Sequence, residues 1–242
     1  MKFTVLSLFP DFFSSYDQFG IIRRALDEQR FSLTVQNIRD FSSDKHRKVD
    51  DYPYAGGPGM VMTPQPLADA LAGKKHVIYL SPRGETLTQE MVRQLATYDE
   101  LTLLCGHYEG IDQRIIDQHV EREVSIGDYI LSGGEIPALV LMDAIIRLLP
   151  GVITEGSLDH ESHNHFLLEY DQYTRPEHFG TQSVPEVLLS GNHALIEQYR
   201  LDQMIRLTLR RRPDLIEKGL TQGAFTKTQI KRINQLREEE IS

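Results

Sequence analysis

Apolar runs alternate with stretches of helical spacing along the chain as far as Gly151. The apolar, partly β-branched runs are Phe3–Leu8, Leu33–Asn37, Val77–Leu80, Leu101–Cys105 and Val124–Ile126. Several are too continuously hydrophobic for strands with one wet face, which points to strands covered on both sides. Between them, Ile21–Gln29, Pro66–Ala72 and Thr88–Ala96 carry apolar residues at helical spacing. This alternation predicts an α/β domain with a largely parallel sheet, whose ligands gather at the carboxyl ends of the strands. The segment "IPALVLMDAIIRLL", Ile136–Leu149, is apolar almost all round and predicts a helix buried on more than one side. Two starts for it remain open. Ser132 and Glu135 fit a capping box, which puts Pro137 inside the first turns; the alternative start is Pro137 itself.

Beyond Gly151 the pattern changes. Residues 152–176 are polar and turn-rich, and from Gly191 onward only helical patterns remain. The expected organisation is a first domain over residues 1–157, a flexible interdomain linker over 158–176 and a small helical domain over 177–242.

With 242 residues, 40% of them hydrophobic, the chain can bury a sizeable core. It contains no run of about 18 uncharged apolar residues, and an acid follows the short apolar start, so no membrane partner and a cytoplasmic location are expected. Cys105 is the single cysteine. It makes neither an intramolecular disulfide nor a cysteine metal cage, and reads as a small buried hydrophobe. A net charge of −9 argues at first against a nucleic-acid partner. The charge is uneven, however: residues 177–242 hold ten Lys/Arg against nine Asp/Glu. Arg200, Arg206, Arg210, Arg211 and Arg212 crowd one helical stretch, which on charge alone is a solvated face. A second basic knot is Lys45–Lys48.

Three strand ends run into glycine, serine or proline: "YLSPRG", "CGHYEGID" and "SIGDYILSGG". Loops of this kind expose backbone groups able to read an adenine edge or hold a ribose. Each alone is an ordinary strand-to-helix connection; three together suggest one nucleotide-shaped pocket. Neither G-x-G-x-x-G nor G-x-x-x-x-G-K-[ST] occurs, so a ligand here need not carry a phosphate chain.

"SLFPDFF", "HRKVDDYPYAGGPGM", "YLSPRG", "CGHYEGID", "SIGDYILSGGEIPA", "YTRPE" and "LLSGNHA" stand in the order and approximate spacing of the bacterial tRNA (guanine-N1-)-methyltransferases of the knotted SPOUT class, which the chain resembles over nearly its whole length. The resemblance implies a deep trefoil knot, a topology that periodicity does not reveal. It implies transfer of a methyl group from S-adenosylmethionine to N1 of the guanosine just 3′ of the tRNA anticodon, in support of reading-frame maintenance. It also implies a homodimer with its active sites at the subunit interface.

By the same resemblance the cofactor residues are Tyr79, Leu80, Ser81 and Pro82; Gly106, Tyr108, Glu109 and Gly110; Ser125, Ile126, Gly127, Asp128, Tyr129, Ile130, Leu131, Gly133 and Gly134; and Pro137. Valine at position 134 is then expected to fill adenosyl space and weaken cofactor binding without unfolding the protein. The tRNA residues are Lys45, His46, Arg47, Asp50, Tyr54 and Gly59, then Tyr173, Arg175, Ser190, Gly191, Asn192, His193, Arg200 and Arg210. Removing Arg200 or Arg210 is expected to flatten the salt dependence of tRNA binding. Magnesium with the tRNA stays open; no protein-bound metal is expected, because His160, His163 and His165 lie together on a polar loop without cysteine.

Guanine N1 carries a proton and needs a base to remove it and a cation near O6. Arg147 matches the family's arginine, while the family's aspartate is met by Glu161, with Asp159 two residues earlier as the competing base. His107 stands where arginine is common in the family, which either weakens that contact or makes it depend on histidine protonation. The rival readings are a knotted methyltransferase acting on another RNA, a catalytically weakened tRNA-binding relative, and a small-molecule nucleotide enzyme.

Overall fold

The computed structural model describes residues 1–154 and 161–241. The chain divides into two compact units, Met1–Thr154 and Glu155–Ser242. In the first, the elements run β1 (Lys2–Ser7), α1 (Gly20–Asp27), β2 (Ser32–Asn37), β3 (Asp50–Asp51), β4 (Val61–Met62), α2 (Pro64–Leu71), β5 (Val77–Thr86), α3 (Gln89–Leu95), β6 (Glu100–Cys105), α4 (Gln113–His119), β7 (Arg122–Ser125) and α5 (Glu135–Ile146). Five strands form one parallel sheet in the order β2-β1-β6-β5-β7.

Strand alternation divides the apolar residues between two cores. Phe3, Val5, Leu101, Leu103 and Cys105 face a cluster completed by buried residues of α1, α3 and α5. Leu6, Tyr79 and Leu104 face the opposite cluster with Leu67 and Leu71 of α2 and Ile115 of α4. The sheet is therefore covered on both faces at its centre, which is why β1, β6 and the first half of β5 read as near-continuous apolar runs. Cys105 is fully buried, and burial pushes its thiol pKa well up.

Helix α5 begins at Glu135, between the two expected starts. Its N-cap is Gly134, without a side-chain cap. Pro137 occupies the third helical position, whose N–H has no intrahelical acceptor in any helix, and the ladder opens immediately after it with Ala138 N–H donating to Gly134 O at 2.9 Å.

The second unit contains the small ribbon β8 (His178–Phe179) and β9 (Gln182–Ser183), then α6 (Glu186–Leu189), α7 (His193–Arg211), α8 (Pro213–Thr221) and α9 (Lys227–Ile241). The Asn192 side chain caps α7 by accepting from Leu195 N–H at 3.3 Å. Ile205, Ile216, Ile233 and Leu236 form the core, and Leu167 joins it at 3% exposure with Phe166 and Tyr170 packed beside it. The stretch expected as flexible linker thus supplies apolar residues to this core, and Leu168 N–H donates to Thr208 Oγ1 at 2.9 Å.

Charged groups also tie α7 to α9. Arg210 makes two bonds of 2.7 Å to the Glu240 carboxylate, and Arg206 pairs with Glu239 and Glu240. The Arg210 hydrogen bonds chiefly, with those of Arg206, lower the Glu240 pKa to about 2 against an upward effect of desolvation. A depressed folded-state pKa stabilises the fold above the ordinary value of 4.5, and that contribution disappears as pH falls toward 2. The melting temperature should therefore fall as pH drops through that window. Glu240→Gln should flatten the acid limb; an unchanged limb would show that the pair contributes nothing measurable.

Candidate active site

The carboxyl ends of β5, β6 and β7 bring their three loops around one cavity of about 330 Å³. Every residue expected at the cofactor lines it except Asp128, which is exposed. Arg83, His107, Ile111, Gln113, Val124 and Ser132 also line it and were not singled out as cofactor residues. All six lie in or beside the three motifs, so adjacency was the available signal.

Each loop has a distinct local construction. After Leu80 the first loop leaves the ladder and β5 resumes against β7, so that both Leu80 and Glu85 register with Val124. The second loop is tied down by β4 and its flank: Glu109 N–H donates to Met60 O at 2.9 Å, and Met62 N–H to Gly110 O at 3.0 Å. These bonds bring "GGPGM" beside the cavity wall. Tyr108 in this loop adopts a left-handed backbone with φ of 59°, a strained conformation for a tyrosine. In the third loop, Ser125 Oγ accepts from Gly127 N–H at 3.2 Å, and Tyr129 O–H donates to Ile126 O at 3.2 Å.

The paired glycines sit where the third loop crosses the second. Gly134 N–H donates to Gly106 O at 3.0 Å, and a Cβ on Gly134 would lie 2.6 Å from Cys105 Cα. A Cβ on Gly133 would fall 2.3 Å from the His107 ring and 2.6 Å from Glu135 Oε2. Glu135, buried at 4% exposure, accepts from Ser7 Oγ and meets His107 Nε2, so His107 has a carboxylate partner within the fold.

Arg147 closes α5, its N–H donating to Asp143 O at 3.2 Å. Glu161 belongs to the second unit, whereas Asp159 and His160 lie outside the described residues. The residues expected at tRNA fall into two sets, Lys45 to Gly59 in the first unit and Tyr173 to Arg210 in the second. In the second unit, Tyr173, Arg175 and Arg200 line a cavity of about 550 Å³ together with Tyr170 and Tyr199, which the sequence did not single out. The Arg200 guanidinium lies 4.8 Å from the Tyr170 ring centroid. Ser190 and Gly191 precede the Asn192 cap, and His193 opens α7. Arg210 does not stand as an unpaired cation, being held by Glu240, while Arg211 is exposed.

The family described as tRNA (Guanine-1)-methyltransferase TrmD matches residues 1–218. The chain is 53% identical over 226 residues to the tRNA (guanine-N(1)-)-methyltransferase of Ruminiclostridium cellulolyticum, covering 90% of this chain and 97% of that protein. It is 50% identical to the protein of the same name from Clostridioides difficile, over 90% and 99% of the two chains. The counterpart from Treponema denticola is 47% identical over 243 residues, spanning 99% of this chain and 100% of that one.

Proposed function

Because the chain belongs to the tRNA (guanine-N1-)-methyltransferase family, we propose that it moves the methyl group of S-adenosylmethionine to N1 of the guanosine just 3′ of the tRNA anticodon, supporting reading-frame maintenance. The observation that carries this reading is the convergence of the three glycine-bearing loops on one cavity. Its volume is in the range of small-molecule sites. Backbone groups of the third loop are assigned the adenosyl moiety, and Tyr79 to Pro82 with Gly106 to Gly110 form the facing wall.

The cofactor supplies a methyl carbon bearing a good leaving group, so the protein's own task is to make N1 nucleophilic and hold it in line. Glu161 is assigned as the base that takes the N1 proton, with Asp159 as the competitor. Arg147 is assigned to the negative charge that develops toward O6. Lys45, Arg47, Tyr54, Tyr173, Arg175 and Arg200 are assigned to the RNA, with aromatic rings for splayed bases and cations for phosphates.

A homodimer is part of the proposal. Helix α5 buries Ala138, Leu141, Met142 and Ile145 on one side but leaves Ile136 and Val140, one turn apart, at 44% and 42% exposure. Ile130 and Leu131 of the third loop add exposed apolar surface. The crossing of Gly134 over the end of β6 supports a knotted path. No helix among the described residues is long and apolar enough to cross a membrane. A cytoplasmic location is proposed on the ground of the tRNA substrate alone. Any magnesium requirement is read by repeating the assay with chelator. The function is tested by incubating unmodified tRNA with methyl-labelled S-adenosylmethionine: label in 1-methylguanosine is expected, and no label in the tRNA favours the other-RNA reading or the catalytically weakened relative.

A further inference from the structure

Arg83 lines the cavity just after the first loop's Pro82 and has no role in the scheme above. Its backbone is fixed on both sides. Arg83 N–H donates to Ser81 Oγ at 3.3 Å, and the next residue, Gly84, packs so closely on β7 that a Cβ there would lie 2.5 Å from Glu123 C and Val124 N. The side chain is held more loosely. Its Nη2 stands 3.4 Å from Oε1 of Gln113, another residue of the cavity wall, and 3.6 Å from Glu123 Oε2. Both contacts are long and both use the same nitrogen, so Nε–H and the Nη1 hydrogens have no acceptor among the described residues. The Arg83 side chain is 65% exposed, and a long ion pair at that exposure neither saturates its donors nor cancels its charge.

Charge singles this residue out. Among the described residues lining the cavity, Arg83 is the one permanent cation and Glu109 the one carboxylate, while the His107 ring already meets Glu135 at 2.7 Å. The glycine-bearing second and third loops bring backbone to the cavity, which suits a neutral adenosine. S-adenosylmethionine carries in addition an amino-acid end, with an ammonium and a carboxylate. That carboxylate is a permanent anion, and taking it from water into a pocket requires hydrogen bonds and a cation. Guanidinium supplies both, in a planar fork that fits carboxylate oxygens.

We propose that Arg83 binds the α-carboxylate of S-adenosylmethionine and thereby sets a preference for a cofactor with an intact amino-acid end. The inference rests on the methyl-transfer reading of this cavity. Gln113 holds Nη2 from within the wall, and the N–H groups left over are the ones offered to the carboxylate.

The test is calorimetric titration of the full chain with two ligands, S-adenosylmethionine and its decarboxylated form, which keeps the adenosine, the sulfonium and the ammonium but lacks the carboxylate. Arg83→Gln is expected to weaken S-adenosylmethionine binding about 10-fold, the scale of one hydrogen bond to a charged group, with little change for the decarboxylated ligand. Arg83→Lys keeps the charge and loses the fork, so its loss should be smaller and again confined to S-adenosylmethionine. Affinity for tRNA and its salt dependence should match wild type in both variants. An equal loss for the two ligands would make Arg83 a structural part of the first loop and overturn the proposal. No loss for either would leave the carboxylate to backbone N–H groups and overturn it as well. A loss confined to tRNA would move the residue to the RNA. Should Arg83→Gln not fold, as read by thermal unfolding, Arg83→Lys decides by the same comparison. A wild type that binds neither ligand overturns the methyl-transfer reading itself, whereas one that binds both with no discrimination overturns only the role of Arg83.

Discussion

Glu161→Gln is expected to slow methyl transfer about 10²- to 10⁴-fold while leaving tRNA and cofactor affinities close to wild type. The amide keeps the shape of the side chain and removes its basicity, and a base acts on the transition state more than on binding. Glutamate is one methylene longer than aspartate, so the proposed base can reach the same proton only from a backbone set further back. Single-turnover rates for Glu161→Gln and Asp159→Asn, measured side by side across pH, separate the two candidates. A near-wild-type glutamine variant beside a dead asparagine variant would move the base to Asp159. Two active variants would require a base from elsewhere in the chain.

Gly134→Val carries the second large effect, and the structure changes its character. From the sequence, valine here fills adenosyl space and leaves the fold intact. In the structure the added Cβ meets Cys105 Cα at 2.6 Å and Gly106 N at 3.0 Å, both backbone atoms at the end of the central strand. Neither can turn aside as a side-chain tip would, so the third loop must lift away from the second. The variant should lose cofactor binding and also stability, by roughly 1–3 kcal/mol or more, as overpacked cores do. Calorimetric titration together with thermal unfolding reads both. Lost binding with an unchanged melting temperature would return the glycine to the purely ligand-facing role; unchanged binding would remove this crossing from the pocket.

The sheet was legible because β1 and β6 are largely buried apolar runs, and the observed ends of β1, β2, β6 and β7 lie close to the expected ones. Strand β5 was not read to its full length. "SPRGET" has the composition of a loop, yet the chain returns to β7 after a break in register. Helix α4 escaped because it is only seven residues long, with Ile115 its single fully buried side chain. Leu167 was hidden because the three apolar residues Phe166–Leu168 in a turn-rich stretch are too few to show a period, and their partners lie on distant helices.

The three loops were legible as separate glycine-bearing strand ends, and the family resemblance drew them into one site. The hydrogen-bonded cluster behind them was not. Ser7, His107 and Glu135 meet across separations of 128 and 28 residues, and Glu135 in "SGGE" looks like a capping residue. Gly133 stays bare because that cluster fills the space beside it, and Gly134 because a strand backbone does. Local sequence reports a demand for glycine; only packing says which neighbour makes it. Arg210 shows the converse, since its place on a basic helical face does not disclose the glutamate thirty residues on that holds it.

The most direct measurement is the chemical identity and position of the transferred methyl. Unmodified tRNA carrying guanosine 3′ of the anticodon is incubated with the protein and labelled S-adenosylmethionine, digested to nucleosides, and mapped by fragment. The expected result is 1-methylguanosine at that one position, and no label when adenosine replaces the guanosine. Label at another base, at another position, or equally in both tRNAs would contradict the assignment.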